Sequence, residues 1–342
     1  MDKYLETDEW KIIEEGFDPE RQRSSESIFS IGNGHMGQRA NFEEHYSGDS
    51  LQGSYIGGIY YPDPTKVGWW KNGYPDYFAK VLNSVNWIGI DIYINGEQLD
   101  LAECTVTDFT RTLDMKQGLL QRSFVAELQN GNKVAVEACR FVSMERTEVG
   151  AIEYSIKALN FSGTITLTPY INGEVYNEDA NYDEIFWDER TQDTFQNGGV
   201  VTTQTKKLDF HVAAAMKNTI YKNGEGLDLD TTASVSSMYV DQSYEVPVEK
   251  NDVVQLHKFA VVASSLNHDR KRLHEHAKQA VNDTSNVGYQ QLKSEHTDRW
   301  LDIWKGSDVH IEGDKDAQQG IRFNIFQLYQ TYTGEDERLN IG

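Results

Sequence analysis

Between Ser27 and Ser264 the chain is built from short runs in which apolar and polar residues alternate. The clearest is Trp87–Ile94: Ile88, Ile90, Ile92 and Ile94 fall on one face, with Asp91 and Tyr93 on the other. That period of two is the pattern of a strand with one face buried. Comparable runs cover Leu119–Leu128, Lys133–Val142, Ala151–Leu159, Phe210–Met216 and Val253–Ala263. Asn-Gly pairs stand between them at Asn95-Gly96, Asn130-Gly131, Asn172-Gly173, Asn197-Gly198 and Asn223-Gly224. Both residue types tolerate positive φ, as a type I′ hairpin turn requires. Strands separated by such turns predict antiparallel hairpins and a large β-sandwich, so the fold class is mainly β.

The period changes near Leu266. Asn267-His268-Asp269 offers a cap, and Leu273, Ala277, Ala280 and Val281 then recur at helical spacing. A second helix is expected from about Val287 to Trp304, carrying Tyr289, Leu292, His296, Trp300, Ile303 and Trp304 along one stripe. A short strand is expected over Asp308–Glu312, and a third helix over about Lys315–Thr333. The third helix carries Ile321, Phe323, Ile325, Phe326, Leu328, Tyr329 and Tyr332, which leave little polar face. Two readings of it stand side by side. Either it packs on the sandwich or in a dimer interface, or it opens a helical domain.

Charge narrows the function. The 342 residues hold 54 acidic against 32 basic side chains, a net charge of −22. Binding to phosphate backbones or anionic lipid draws on Lys/Arg patches, so nucleic acid and membrane surfaces are set aside as partners. No run approaches the length of a spanning helix. The opening residues MDKYLETDEW have no apolar signal core, and a cytoplasmic location is expected. Cys104 and Cys139 are too few to staple a chain of this size and read as small buried residues in strand-like segments. The most acidic stretch, Glu174–Asp193, interleaves Tyr176, Tyr182, Phe186 and Trp187, and reads as a solvated loop with aromatic anchors.

Candidate chemistry is sparse. Gly32-Asn-Gly-His-Met-Gly37 matches a dinucleotide fingerprint in letters. No apolar helix follows it and no βαβ unit surrounds it, so the glycines are assigned to tight turns and close backbone approach. His274 and His276 are two apart on a helix, hence on different sides, and the remaining histidines are scattered, so no metal set is expected. Carboxylates are too abundant for a general acid–base pair to be picked out. One aromatic loop stands apart: Gly68-Trp-Trp-Lys-Asn-Gly-Tyr-Pro75. Trp69, Trp70 and Tyr74 offer faces that stack on sugar rings, and Lys71 and Asn72 offer hydrogen bonds to hydroxyls. The same residues suit the pinning of a long loop onto the sandwich or a partner chain.

The segments Glu26-Ser-Ile-Phe-Ser-Ile-Gly-Asn-Gly-His-Met-Gly-Gln-Arg39, Phe42-Glu-Glu44 and Tyr46–Gly53 resemble the N-terminus of glycoside hydrolase family 65, the inverting α-glucoside phosphorylases. Gly68–Pro75 resembles the maltose phosphorylase branch in particular, while Ala40-Asn41 stands where many relatives carry a glycine. Trp300–Trp304, Asp308–Asp314 and Gln318–Gln330 extend the resemblance to the end of the chain.

The resemblance implies a super-sandwich over 1–264, a helical linker over 265–312, and the first helix of an (α/α)6 barrel over 313–342. It implies an enzyme in which phosphate attacks the anomeric carbon of an α-linked glucose disaccharide, maltose foremost, and releases β-glucose 1-phosphate. Inorganic phosphate is then a co-substrate, and neither an organic cofactor nor a metal is needed. The general acid, a glutamate, lies in the family's barrel, so the resemblance implies that no residue of this chain is catalytic and that the chain alone is inactive. The implied contributions of this portion are support of the barrel, loops at its entrance, and a homodimer contact or self-association. A stand-alone carbohydrate-binding or interaction module on the same sandwich is the other reading.

Overall fold

The structure, a computed structural model, describes residues 4–67 and 73–339. Two antiparallel sheets form the body. The larger has 11 strands. Its spatial order is Leu5–Thr7, Lys11–Glu15, Thr105–Asp114, Leu119–Glu127, Lys133–Val142, Val149–Ala158, Val253–Ser264, His211–Lys222, Gly198–Thr205 and Trp187–Phe195, with Glu225–Leu227 added beside His211–Lys222. The smaller has five strands, in the order Thr232–Ser236, Tyr239–Val248, Gly163–Asn172, Ile90–Ile94 and Glu97–Gln98.

The alternation seen in the sequence sets which face is buried. Ile88, Ile90, Ile92 and Ile94 are all 1% exposed or less and meet the core side chains of the large sheet, among them Ile152, Tyr154, Val212 and Leu256. Glycine allows close approach between the layers: a β-carbon at Gly150 would fall 2.5 Å from the Trp87 ring. The sheets are also tied by a polar side chain. Lys258, from the large sheet, donates through Nζ to the Gly89 and Tyr170 carbonyls at 2.8 and 2.7 Å. Burial holds this ammonium well below its ordinary pKa, against the pull of Asp91 and Glu43.

Helices flank the sheets, and two of them share a second core with the large sheet. The short helix α1 (Gln22–Ile28) precedes the glycine-rich segment, and α2 (Leu273–Val287), α3 (Tyr289–Ser307) and α4 (Lys315–Thr331) follow the last strand. Leu273, Ala277 and Val281 of α2 and Tyr289 and Leu292 of α3 share a second core with Ala213, Ala215, Phe259, Val261 and Ala263. Farther along α3, Trp300 stacks on Phe326 of α4 at 4.6 Å, and the Trp304 Nε1 donates to the Met115 carbonyl at 2.9 Å.

Several local expectations are corrected. The strand expected over Asp308–Glu312 is absent, because Gln318 of α4 takes its backbone groups: Gln318 accepts from the Ile311 N–H and donates to the Val309 carbonyl. Asp308 instead receives a two-pronged bond from Arg322 at 2.8 and 2.9 Å. Only Asn95-Gly96 and Asn223-Gly224 place both residues at positive φ. Asn172-Gly173 is not a hairpin turn, since Asn172 pairs with Tyr239 and bridges to Asn86. Helix α2 starts at Leu273, so Asn267-His268-Asp269 forms a turn ahead of it and not its cap. Cys139 is buried in a strand, as expected, whereas Cys104 sits half-buried in the turn before Thr105–Asp114.

Helix α4 also differs from its sequence reading. Its buried stripe is Gln318, Arg322, Phe326 and Gln330, three of them polar. Ile321, Phe323, Ile325, Tyr329 and Tyr332 are half-buried, and Leu328 is 55% exposed. Polar side chains join Phe326 in fixing this helix to the sandwich, Phe323, Ile325 and Tyr329 pack against the core, and Leu328 stays uncovered. Among the described residues no helix is long and apolar enough to cross a membrane.

Candidate functional site

The glycine-rich segment forms a small hairpin whose strands are Ile31–Gly32 and Met36–Gln38, and the third strand Ser54–Ile56 pairs beside it. Asn33 holds the turn. Its Oδ1 accepts from the His35 and Met36 N–H groups, and its Nδ2 donates to the Ser143 and Thr147 carbonyls. Gly34 has φ +79, and its N–H donates to the Gln330 carbonyl at the end of α4 at 2.7 Å. A β-carbon at Gly32 would lie 2.9 Å from that same carbonyl oxygen. The glycines therefore serve backbone approach, here onto α4, and not a pyrophosphate.

This hairpin walls a cleft of about 900 Å³, closed on other sides by Tyr60 and Val81, by Gln327 and Gln330 of α4, and by Arg338. Its lining among the described residues contains no carboxylate. Both arginines at its rim are already engaged. Arg39 donates to the Leu51 carbonyl, Ser27 Oγ and the Arg23 carbonyl, and Arg338 donates to Asp336, the Leu266 carbonyl and Asn267. These walls shape a space but hold no acid for glycosidic chemistry.

A buried carboxylate pair lies within the sandwich. Glu43 and Glu44 are 4% and 3% exposed. Arg140 binds Glu43 at 2.7 Å, Arg122 binds Glu43 at 2.6 Å and also pairs with Glu44, and the Tyr154 hydroxyl donates to Glu44 at 3.0 Å. Burial pushes the Glu43 carboxyl up, but the two guanidiniums outweigh it and hold it below the usual range. Both acids are fixed against buried guanidiniums, so this set is structural.

The aromatic loop is carried by an arm hairpin, Tyr60–Pro64 paired with Tyr77–Val81. Trp69, Trp70, Lys71 and Asn72 lie outside the described residues. Tyr74 stands near the arm's tip and is 45% exposed. Tyr60, Tyr77, Phe78 and Val81 are exposed along the same arm. The acidic stretch packs against it: Lys80 pairs with Asp179 at 3.4 Å, the Asn181 N–H donates to Asp63, and the Tyr61 hydroxyl donates to Glu184 at 2.7 Å. Phe186 is buried on the Tyr61 ring at 4.1 Å and Trp187 donates to the Asn83 carbonyl, so these two are anchors. Tyr176 and Tyr182, read as anchors from the sequence, are instead 70% and 55% exposed. They extend the aromatic surface of the arm.

A second cluster was not visible in the sequence. The histidines that look scattered along the chain meet at Glu148, where the Nε2 atoms of His268 and His276 lie 2.7 and 3.4 Å from its two carboxylate oxygens. His274, by contrast, points to Thr202 and Asp193, as the two-residue spacing requires. The ligand atoms of Glu148, His268 and His276 all fall within 4.8 Å of one another, a set able to hold a metal ion.

The glycosyl hydrolase family 65 N-terminal domain model matches residues 12–303. The chain belongs to glycosyl hydrolase family 65. It is 42% identical over 345 residues to the maltose phosphorylase of Bacillus subtilis (strain 168), covering 99% of this chain and 44% of that protein. Identity to the α,α-trehalose phosphorylase of Thermoanaerobacter brockii is 31%, over 98% of this chain and 44% of that protein. A solved human-microbiome chain described as a candidate kojibiose phosphorylase superposes with a TM-score of 0.87 at 28% identity, covering 98% of this chain and 43% of that one. The chain thus spans less than half the length of the relatives it matches.

Proposed function

We propose that this chain is the non-catalytic portion of an inverting α-glucoside phosphorylase, with the sandwich over 1–264, a helical linker over 265–312 and the start of an (α/α)6 barrel from 313. The observation that carries the reading is the cleft beside α4: it is large and well formed, yet its described walls offer no carboxylate. A general acid must then come from elsewhere. The exposed Leu328 of α4 supports the same reading, because an apolar side chain on the outer side of a docked helix suits burial by further helices.

In the complete enzyme, phosphate attacks the anomeric carbon of an α-linked glucose disaccharide with inversion, the glycosidic C–O bond breaks as the general acid protonates the leaving oxygen, and glucose and β-glucose 1-phosphate are released. The reaction uses inorganic phosphate as co-substrate and no organic cofactor. Maltose is the substrate favoured here, supported by the 42% identity to a maltose phosphorylase against 31% to a trehalose phosphorylase. The protein works in the cytoplasm as a homodimer. The arm loop, Trp69, Trp70, Lys71, Asn72 and Tyr74, meets either sugar at the active-site entrance or the second subunit.

A chimaera tests the reading. This chain is joined to the part of the Bacillus subtilis maltose phosphorylase that lies beyond the matched segment. The expected result is maltose phosphorolysis by the chimaera. A chimaera that is folded and dimeric yet silent with maltose, trehalose and kojibiose would count against it. A stand-alone binding module predicts instead that the 342-residue chain binds maltose by itself in calorimetry.

A further inference from the structure

Four separate segments converge on Glu148. It sits at the end of the turn that enters Val149–Ala158, and that turn is fixed by the Asn33 amide through Ser143 and Thr147. His268 comes from the turn after Val253–Ser264, and His276 from the first turn of α2. Their imidazoles stack, with centroids 3.8 Å apart. His35 comes from the glycine-rich hairpin, and its Nε2 lies 4.0 Å from Glu148 Oε1.

His35 is the observation that a hydrogen-bonded trio does not explain. The residue is 9% exposed, and its Nε2 is buried without a hydrogen-bond partner among the described residues. A buried ring nitrogen left without a partner is destabilising. Two imidazoles already occupy the carboxylate oxygens, and the third ring is aimed at the same point with nothing to bind.

We propose that Glu148, His268, His276 and His35 form a binding site for one divalent transition-metal ion of the zinc type. Three imidazole nitrogens and one carboxylate oxygen suit such an ion and do not suit calcium or magnesium. In a tetrahedral site with bonds of about 2.0–2.1 Å, neighbouring ligand atoms stand about 3.3 Å apart. His268 and His35 stand 2.7 and 4.0 Å from Glu148 Oε1 and His276 stands 3.4 Å from Oε2, and the ligand atoms of Glu148, His268 and His276 all lie within 4.8 Å of one another. The ion would clasp the glycine-rich hairpin, and with it the end of α4, to the start of α2. Its role is structural and leaves the phosphorolysis chemistry untouched.

The test uses the tag-free 342-residue chain, stripped with a chelator and titrated with Zn²⁺ or Co²⁺. One saturable equivalent, the visible d–d absorption of tetrahedral Co²⁺, and a raised unfolding midpoint are expected. His268→Ala and His276→Ala each weaken binding at least about tenfold. His274→Ala, which faces Thr202 and Asp193, leaves binding unchanged. Absence of a saturable equivalent, or affinity unchanged in both His268→Ala and His276→Ala, overturns the proposal. Equal loss in His274→Ala overturns it as well, since the effect would then be general. If an alanine variant loses its far-UV spectrum, Glu148→Gln, which keeps size and hydrogen bonding, gives the same decision.

Discussion

Gly118 lies directly against the Trp300 indole: a β-carbon on Gly118 would fall 2.0 Å from the Trp300 Nε1. The glycine sits at φ +69 in the turn between Thr105–Asp114 and Leu119–Glu127, so both its conformation and its missing side chain are required. Through this contact α3 docks on the sandwich. Gly118→Ala combines left-handed strain with overpacking against a fully buried ring, and a loss of about 2–5 kcal/mol is expected. Urea unfolding followed by tryptophan fluorescence measures it. A loss below 0.5 kcal/mol, roughly that of a neutral surface change, would contradict the packing described.

The same turn controls a buried histidine. His296 Nδ1 accepts from the Met144 N–H at 3.1 Å, so its Nε2 carries the proton and donates to the Gly118 carbonyl at 2.9 Å. Burial lowers its pKa from 6.5 to about 4, while the backbone carbonyls of Gly118 and Gln117 oppose the shift. The unfolded chain binds this proton first as the pH falls. Stability from His296 is therefore full above pH 6.5 and is lost progressively towards pH 4, with a total on the order of 3 kcal/mol. His296→Gln should flatten the stability profile over that window. An unchanged slope would contradict the assignment.

Arg122, Arg140, Glu43 and Glu44 form a closed charge set inside the sandwich. Arg122→Met leaves Glu44 without a cation and Glu43 with Arg140 alone, and is expected to cost about 3–5 kcal/mol. The double change Arg122→Met with Glu44→Gln removes the stranded charge, keeps the Glu43–Arg140 pair and should be milder than the single change. A double variant less stable than Arg122→Met by denaturant titration would show that the loss does not arise from uncompensated charge.

Helix α4 predicts how the isolated chain behaves in solution. Leu328 is 55% exposed beside the half-buried Ile325 and Tyr329, a patch that favours self-association. Concentration-dependent association is expected by sedimentation velocity, and Leu328→Glu with Ile325→Glu should reduce it. Association that persists in the double variant would place the contact elsewhere, with the arm hairpin at Tyr77 and Phe78 the next surface to alter.

How far these features could be read from the residues depends on what each leaves in the local pattern. The sandwich was legible because a half-buried strand must alternate, and Ile88, Ile90, Ile92 and Ile94 do so without a break. Helices α3 and α4 were placed to within a few residues by their apolar spacing. Helix α1 was missed because its buried side chains are Gln22, Ser25 and Glu26, a polar face that carries no apolar period. The absent strand at 308–312 owes its conformation to Gln318 and Arg322, a long-range effect that local alternation cannot report. For the Glu148 cluster the limit is distance along the chain: its histidines lie 120 and 128 residues away. Only the antiparallel register of Val149–Ala158 against Val253–Ser264 brings them together.

The central claim, that these residues support rather than perform phosphorolysis, is tested most directly by incubating the purified 342-residue chain with maltose and inorganic phosphate. Release of β-glucose 1-phosphate is measured against a heat-killed control, on a sample shown by circular dichroism to be folded and β-rich. No release above the control is expected, because the cleft walls among the described residues carry no acid and the Glu43–Glu44 pair is locked by arginines. Sustained release would contradict the account and place a catalytic carboxylate within this chain.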